Sequence, residues 1–481
     1  MSEPIRRTWR STKVVRPMVV DLVVVGAGAA GIGAAHAARR RGATVTLIER
    51  GPIGGDCTFT GCIPSKTLLQ AASRGATFDQ AMTSVHQAIA TVAASESAVV
   101  LRQEGIDVIE GSAQFLDHRT LDVDGRRVHA RAIVLATGSS PSVPHISGLE
   151  TVPFLTNETI FGLDALPRTL AILGGGPIGV EMAEAFARLG TKVTIVEAAP
   201  QLLPREEPMA ARVIADAFSA LGITQLVSSP VTGVTRASSG DGVELTLEGG
   251  ATLQADRLLV AVGRQPITKG LGLERAGVEV NDRGFIKVDS RLRTTAAGIL
   301  AAGDVASPLQ FTHVAYQTGR IAATNALARI PLHRFHTATI PWVTFTSLEV
   351  ARVGMTEAES VTRGGRVVFV PMSQVDRAIT SGHTDGFVKI VVGPRPLLRN
   401  LAGGRILGAT IVAPRAGEML HEIVLAMQVG MFPARLAQSV HAYPTWSMAI
   451  QQAAAQLFGE FGGRRVRPAS ANPGDSGDSL A

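Results

Sequence analysis

Two doubly wound α/β units are predicted for this chain on three observations. A strand, glycine turn, helix and strand pattern occurs twice, the two copies have the same spacing, and 481 residues exceed what one hydrophobic core usually supports. The first copy opens on VDLVVV, residues 20–25, a β-branched run suited to a fully buried parallel strand. It leads into GAGAAG, with Gly26, Gly28 and Gly31, then an Ala-rich, helix-compatible segment to Gly42, then TVTLIE ending at Glu49. Residues 169–197 repeat the pattern with Gly174, Gly176, Gly179 and Glu197, and the interval from first glycine to terminal Glu is 23 positions in both copies. Glycines let backbone amides approach a pyrophosphate, the helix end favours its charge, and the terminal Glu accepts from ribose hydroxyls. Two dinucleotide sites are therefore expected.

Both cysteines of the chain lie in GGDCTFTGCIPSK, residues 54–66, as Cys57 and Cys62. Five residues of regular helix rotate about 500° and rise about 7.5 Å, so the two thiols could not bridge within an undistorted helix. A helix starting inside the segment would place one thiol near its positive end and favour the thiolate. Inert buried thiols and half of a zinc site are the other readings, but residues 50–80 hold no His and no further Cys, so no metal is assigned. In a reducing compartment a close pair is more often catalytic than structural.

The first glycine copy ends five residues before the cysteine segment, which assigns a flavin to it and a nicotinamide cofactor to the second. Glu197 would repel a 2′-phosphate, favouring NADH over NADPH. Later, GILAAGDVA (298–306) is an apolar strand ending in Gly303 and Asp304, a placement suited to a carboxylate gripping a polyhydroxyl.

The formal charge is +6, with 46 Lys+Arg against 40 Asp+Glu, which raises the question of a nucleic acid partner. The excess lies in the ends. Residues 1–20 carry Arg6, Arg7, Arg10, Lys13 and Arg16 against Glu3, and residues 464–481 carry three Arg against two Asp. Both ends are expected as solvated segments, with a contact of the first to something anionic as the alternative. No apolar run reaches the length of a membrane span, and the N-terminus lacks the apolar centre of a secretory signal. A cytoplasmic protein without a membrane or nucleic acid partner is expected.

The chain resembles the FAD-dependent pyridine nucleotide-disulfide oxidoreductases, the family that includes dihydrolipoamide dehydrogenase, glutathione reductase and mercuric ion reductase. GGDCTFTGCIPSK matches the family's GGxCxxxGCxPSK, and GAGAAG, ATGSSP (136–141), GGGPIGVE (174–181), VGRQP (262–266) and AAGDV (301–305) match its nucleotide-binding segments in order. The resemblance implies an FAD domain in two parts (19–150 and 271–335), an NAD(P) domain between them (151–270), an α+β dimerisation domain (336–463) and a homodimer; the basic flexible arm (1–18) and the flexible tail (464–481) lie outside it. It implies cofactor contacts from Thr137, Gly138, Ser139, Gly263 and Asp304 beside the two glycine copies. Hydride would pass from nicotinamide to flavin and on to a Cys57–Cys62 disulfide, with Cys62 facing the flavin and Cys57 meeting the substrate. Lys66 would pair with Glu181 beside the flavin ring, where a cation suits a reduced, anionic flavin.

One segment departs from the pattern. Disulfide-reducing members carry His-Pro-Thr followed by a Glu five residues after the His, whereas this chain reads HAYPTWSM, with Tyr443 and Met448 at those positions. A phenol titrates near 10 and an imidazole near 6.5, so the usual proton shuttle is missing. His441 is a candidate substitute if it shares a face with Tyr443 in extended backbone, although a structural histidine is the commoner outcome. Mercuric ion reductase also has a Tyr here, which suits an acceptor that takes thiolates rather than a leaving thiol that needs a proton. That enzyme receives its metal through a second cysteine pair near the C-terminus, which this tail lacks. The expected function is electron transfer from NAD(P)H through FAD and the thiols to a soft metal ion, a quinone or another electrophile. Dihydrolipoamide dehydrogenase activity and a flavin-containing redox sensor are the alternatives.

Overall fold

The computed structural model describes residues 19–238, 240, 242–472, 478 and 480, so the basic arm of residues 1–18 lies outside the described residues. The chain forms two compact units, one of the chain up to Ile53 with Ala98–Gly138 and Pro266–Arg334, the other of Gly54–Ser97, Ser139–Gln265 and the chain from Phe335 onward.

The first unit is built on the first glycine copy. Strand Val19–Val25 pairs in parallel with Val45–Glu49 on one side and Arg126–Leu135 on the other, and Ile299–Ala301 joins the far side of Arg126–Leu135. Leu22, Val23 and Val24 are all fully buried, so the run reads as continuously apolar because both faces are covered. Helices Ala29–Arg39 and Thr312–Leu327 pack against each other beside this sheet. A Cβ at Gly319 would stand 2.0 Å from the carbonyl oxygen of Ala30, so the two helices cross at backbone distance and glycine is required there. A hydrophobic cluster of this unit gathers Phe115, Leu121, Val128, Leu271 and Ile286 under the antiparallel strands Ala113–Phe115, Thr120–Val123 and Arg126–Leu135.

In the second unit the second glycine copy forms a parallel sheet in the order Thr224–Leu226, Lys192–Val196, Thr169–Leu173, Arg257–Val260. Its helix Pro177–Arg188 shares a core with the helices of the cysteine segment, Cys62–Ser73 and Phe78–Ser95, through Leu68, Leu69, Phe78, Met82, Val180 and Phe186. That shared core is why residues 54–97, expected inside a continuous 19–150 block, group with the second unit. A six-stranded sheet completes the α+β part, in the order Pro341–Thr344, Glu349–Gly354, Arg405–Ala413, Phe387–Gly393, Arg366–Pro371, Arg467–Pro468, with helices Ala416–Gln428 and Met448–Ala455 in its core.

The last of those strands lies within residues 464–481, the expected tail. Arg467–Pro468 pairs with Arg366–Pro371 because the Arg467 guanidinium reaches the carboxylates of Glu357 and Asp478. Glu357 and Lys389 are both fully buried and pair at 2.7 Å. Burial pushes the Glu357 carboxyl up, but the bonds from Arg467 and Lys389 win and hold it below its ordinary value. Among the described residues no helix is long and apolar enough to cross a membrane.

Candidate active site and cofactor cradles

The two glycine copies fold into matching cradles, each within its own unit. Gly26 and Gly174 have φ of +103° and +111°, and a Cβ on either would sit 2.3 or 2.5 Å from the carbonyl oxygen of Ala136 or Ala261. Only glycine tolerates that turn. A Cβ on Gly31 would lie 1.7 Å from the Gly26 carbonyl oxygen, and one on Gly179 2.0 Å from that of Gly174, so each helix starts in contact with its own turn. Gly28 and Gly176 are the N-caps and offer no side chain to the first helical amides. The space a Cβ of Gly176 would enter is open. Glu49 accepts from the amides of Ala27 (2.5 Å) and Gly51 (2.9 Å), and Glu197 from those of Gly175 (2.6 Å) and Ala199 (2.7 Å), the same two bonds in each copy. Unfilled amides at a helix start, a close backbone approach and a carboxylate at the strand end fit a dinucleotide in both cradles.

The remaining residues expected to contact the nucleotides fall in both units. Thr137 Oγ1 donates to the Ile267 carbonyl at 2.7 Å, Gly138 takes φ +73° with open space beside it, and Asp304 sits in the short 3₁₀ turn Gly303–Val305, all in the first unit. In the second, Gly263 takes φ +127° and its carbonyl accepts from the Ser142 amide at 2.9 Å. Ser139, expected as a cofactor contact, is buried and accepts from Arg264 at 2.8 Å through its hydroxyl and 2.9 Å through its carbonyl.

The cysteine segment breaks into two helices, as the spacing requires. Cys57 lies in Gly55–Phe59 and Cys62 is the first residue of Cys62–Ser73, whose N-cap Gly61 contributes no side-chain bond. Cys62 thus sits where the amides of the first turn point outward, the environment that favours a thiolate. A Cβ on Gly61 would meet the Asp56 carbonyl oxygen at 2.9 Å and the Cys57 Cα at 3.1 Å, so the missing side chain lets the two helices fold onto one another.

One turn into that helix, Lys66 Nζ donates to Glu181 Oε2 at 2.7 Å. Glu181 is 4% exposed and also accepts from Ser65 Oγ at 2.6 Å and from the Phe345 amide at 3.0 Å. The Phe345 ring lies under the ammonium at 4.7 Å from its centroid, in range of a cation–π contact. Lys66 and Glu181 are thus brought together, while Ser65 and Phe345 were not singled out from the sequence. Both are generic residues whose part depends on a partner more than a hundred residues away.

The extended backbone that would make His441 a substitute is not formed in HAYPTWSM. His441 and Tyr443 do not lie in a strand, and their side chains meet different surroundings. The His441 side chain is 8% exposed, with Nε2 at 3.1 Å from Glu422 Oε2 and Nδ1 at 3.0 Å from the Ser439 carbonyl oxygen. Tyr443 is 69% exposed, and its phenol donates to Asp376, a bond that, together with the carboxylate's charge, holds it above the usual phenol range, further from neutrality. Met448 begins the helix Met448–Ala455 and supplies no acid.

Residues 20–319 match the family model described as pyridine nucleotide-disulphide oxidoreductase, and residues 340–454 match the dimerisation domain of the same family. The chain belongs to the pyridine nucleotide-disulphide oxidoreductases. It is 36% identical to a mercuric reductase of Streptomyces lividans over 90% of this chain and 95% of that protein. It is 33% identical to a dihydrolipoyl dehydrogenase of Thermus scotoductus over 91% of this chain and 97% of that protein. Among solved structures, the Cu(II) complex of the HOCl-induced flavoprotein disulfide reductase RclA from Escherichia coli superposes with a TM-score of 0.84 at 32% identity, covering 91% of this chain and 99% of that one. As a member of this oxidoreductase family the protein is a flavoprotein enzyme that uses FAD and NAD(P)H, and the two cradles fit those groups. The dimerisation domain supports a homodimer.

Proposed function

We propose that this oxidoreductase delivers electrons from NAD(P)H through FAD and a Cys57–Cys62 disulfide to an electrophilic acceptor of the kind that takes thiolates, a soft metal ion or a quinone, rather than to a lipoyl disulfide. The observation that carries this reading is the pair Tyr443 and Met448 where a neutral-pH acid–base couple would serve a disulfide substrate. Asp376 moves the Tyr443 phenol further from neutrality. A leaving thiol then lacks its proton donor, whereas a soft metal ion reduced by a thiolate pair does not need one and a quinone would take its two protons from solvent. Bound FAD would supply the two-electron relay from the nicotinamide to the disulfide.

Around that relay the chain's own residues do the positioning. Glu181 fixes Lys66 Nζ, and its ammonium would offset negative charge developing on a bound, reduced flavin. The helix start at Cys62 favours its thiolate, leaving Cys57 as the interchange thiol. When the two thiolates close to the disulfide, the acceptor gains the two electrons they lose. The first cradle takes FAD and the second takes the nicotinamide cofactor, with Glu197 favouring NADH.

Steady-state assays of purified holoenzyme test the reading. Rapid NADH oxidation with mercuric ion or a quinone and slow turnover of dihydrolipoamide are expected, with NADH preferred to NADPH. Vigorous dihydrolipoamide turnover contradicts it and makes the His441–Glu422 pair the acid–base group. No turnover with any acceptor favours a redox sensor.

A further inference from the structure

Asp56, immediately before Cys57, is the first acidic residue of the helix Gly55–Phe59. A carboxylate beside a thiol opposes the thiolate, because like charges in proximity destabilise one another. The structure answers this charge. Arg264, whose side chain is only 10% exposed, pairs with Asp56 Oδ2 at 3.2 Å. Its guanidinium is aimed by the two bonds to Ser139, one to the hydroxyl and one to the carbonyl. The other carboxylate oxygen, Asp56 Oδ1, accepts from Thr60 Oγ1 at 2.6 Å and from Asn157 Nδ2 at 3.1 Å, and the Asn157 amide also reaches the Thr60 carbonyl at 3.2 Å. Asn157 is 7% exposed. Thr60 and Gly61 form the turn between the two thiols, so one carboxylate ties the turn to Arg264 and Asn157.

We infer that Arg264 is a positioning residue for Cys57: it neutralises the neighbouring carboxylate of Asp56 and holds it on the turn between the thiols, so that Cys57 reacts as a thiolate at neutral pH. This rests on the reading of Cys57 as the interchange thiol. Among the described residues, further charged groups against the segment include Glu96, which accepts from Thr58 Oγ1 at 2.9 Å, and the Lys66–Glu181 pair. Neither is altered by the changes below.

The test is the pH profile of Cys57 alkylation by iodoacetamide in reduced, FAD-loaded protein, made in a Cys62→Ser background so that one thiol reports. Arg264→Met leaves Asp56 uncompensated, and alkylation at neutral pH slows about tenfold as the profile moves by about one unit to higher pH. Asp56→Asn alone is at least as fast as the parent. The double variant returns to within about twofold of the parent, a rescue that a purely structural role does not give. Arg264→Lys keeps the charge and retains most of the rate, which preserves the test if Arg264→Met does not fold. The inference is overturned if Arg264→Met leaves the profile in place, or if Asp56→Asn and the double variant are as slow as Arg264→Met. A parent in which Cys57 does not alkylate in the neutral range, while folded and flavin-loaded, sinks the underlying reading of Cys57 instead.

Discussion

Cys57→Ser is expected to lower thiol-linked turnover by at least about a thousandfold, the scale on which removal of a covalently acting residue is felt, and to leave flavin reduction by NADH at the wild-type rate. Serine is nearly isosteric, so the helix Gly55–Phe59 and the Thr58–Glu96 bond should survive. What disappears is the sulfur that closes the disulfide and meets the acceptor. Stopped-flow mixing with NADH separates the two halves of the path, since it reads flavin reduction without the acceptor. Loss of that first phase would mean that Cys57 acts before the disulfide and that the assigned roles are wrong.

The second large effect concerns the paired cradles. In Gly31→Ala and Gly179→Ala the new methyl would lie 1.7 and 2.0 Å from the carbonyl oxygen of Gly26 and Gly174, distances no backbone tolerates without moving the helix start. Overpacking of this kind costs about 1–3 kcal/mol or more, and here it falls on the surface that would receive a pyrophosphate. Gly31→Ala is expected to purify largely without flavin. Gly179→Ala is expected to keep its flavin and lose reduction by NADH while still accepting electrons from dithionite. Flavin absorbance and a dithionite control distinguish the two. The reverse pattern, flavin lost in Gly179→Ala and kept in Gly31→Ala, exchanges the assignments of the cradles.

The cradles were legible in the sequence because their requirements are local. A positive φ at Gly26, a helix start pressed against the turn at Gly31 and a strand ending in Glu49 leave a fixed pattern within 23 positions, and the second copy repeats it. The break between the two thiols was legible for the same reason, since helix geometry alone forbids a bridge across five residues of regular helix. Contacts set by tertiary packing were not. Lys66 and Glu181 lie 115 residues apart and are joined in the sequence only through the family resemblance. Asp56 and Arg264 carry no local signal. The Arg467–Pro468 strand is two residues long, too short for any periodicity, and its anchors are the carboxylates of Glu357 and Asp478. At HAYPTWSM a local rule failed, because Glu422 and Asp376 decide where His441 and Tyr443 go.

Anaerobic titration of the holoenzyme with NADH, followed by absorbance, tests the electron path most directly. The account predicts a long-wavelength charge-transfer band as the Cys62 thiolate forms beside oxidised flavin, retained in Cys57→Ser and absent in Cys62→Ser. Direct bleaching of the flavin without that band in the wild-type protein, or a band that persists in Cys62→Ser, would contradict it.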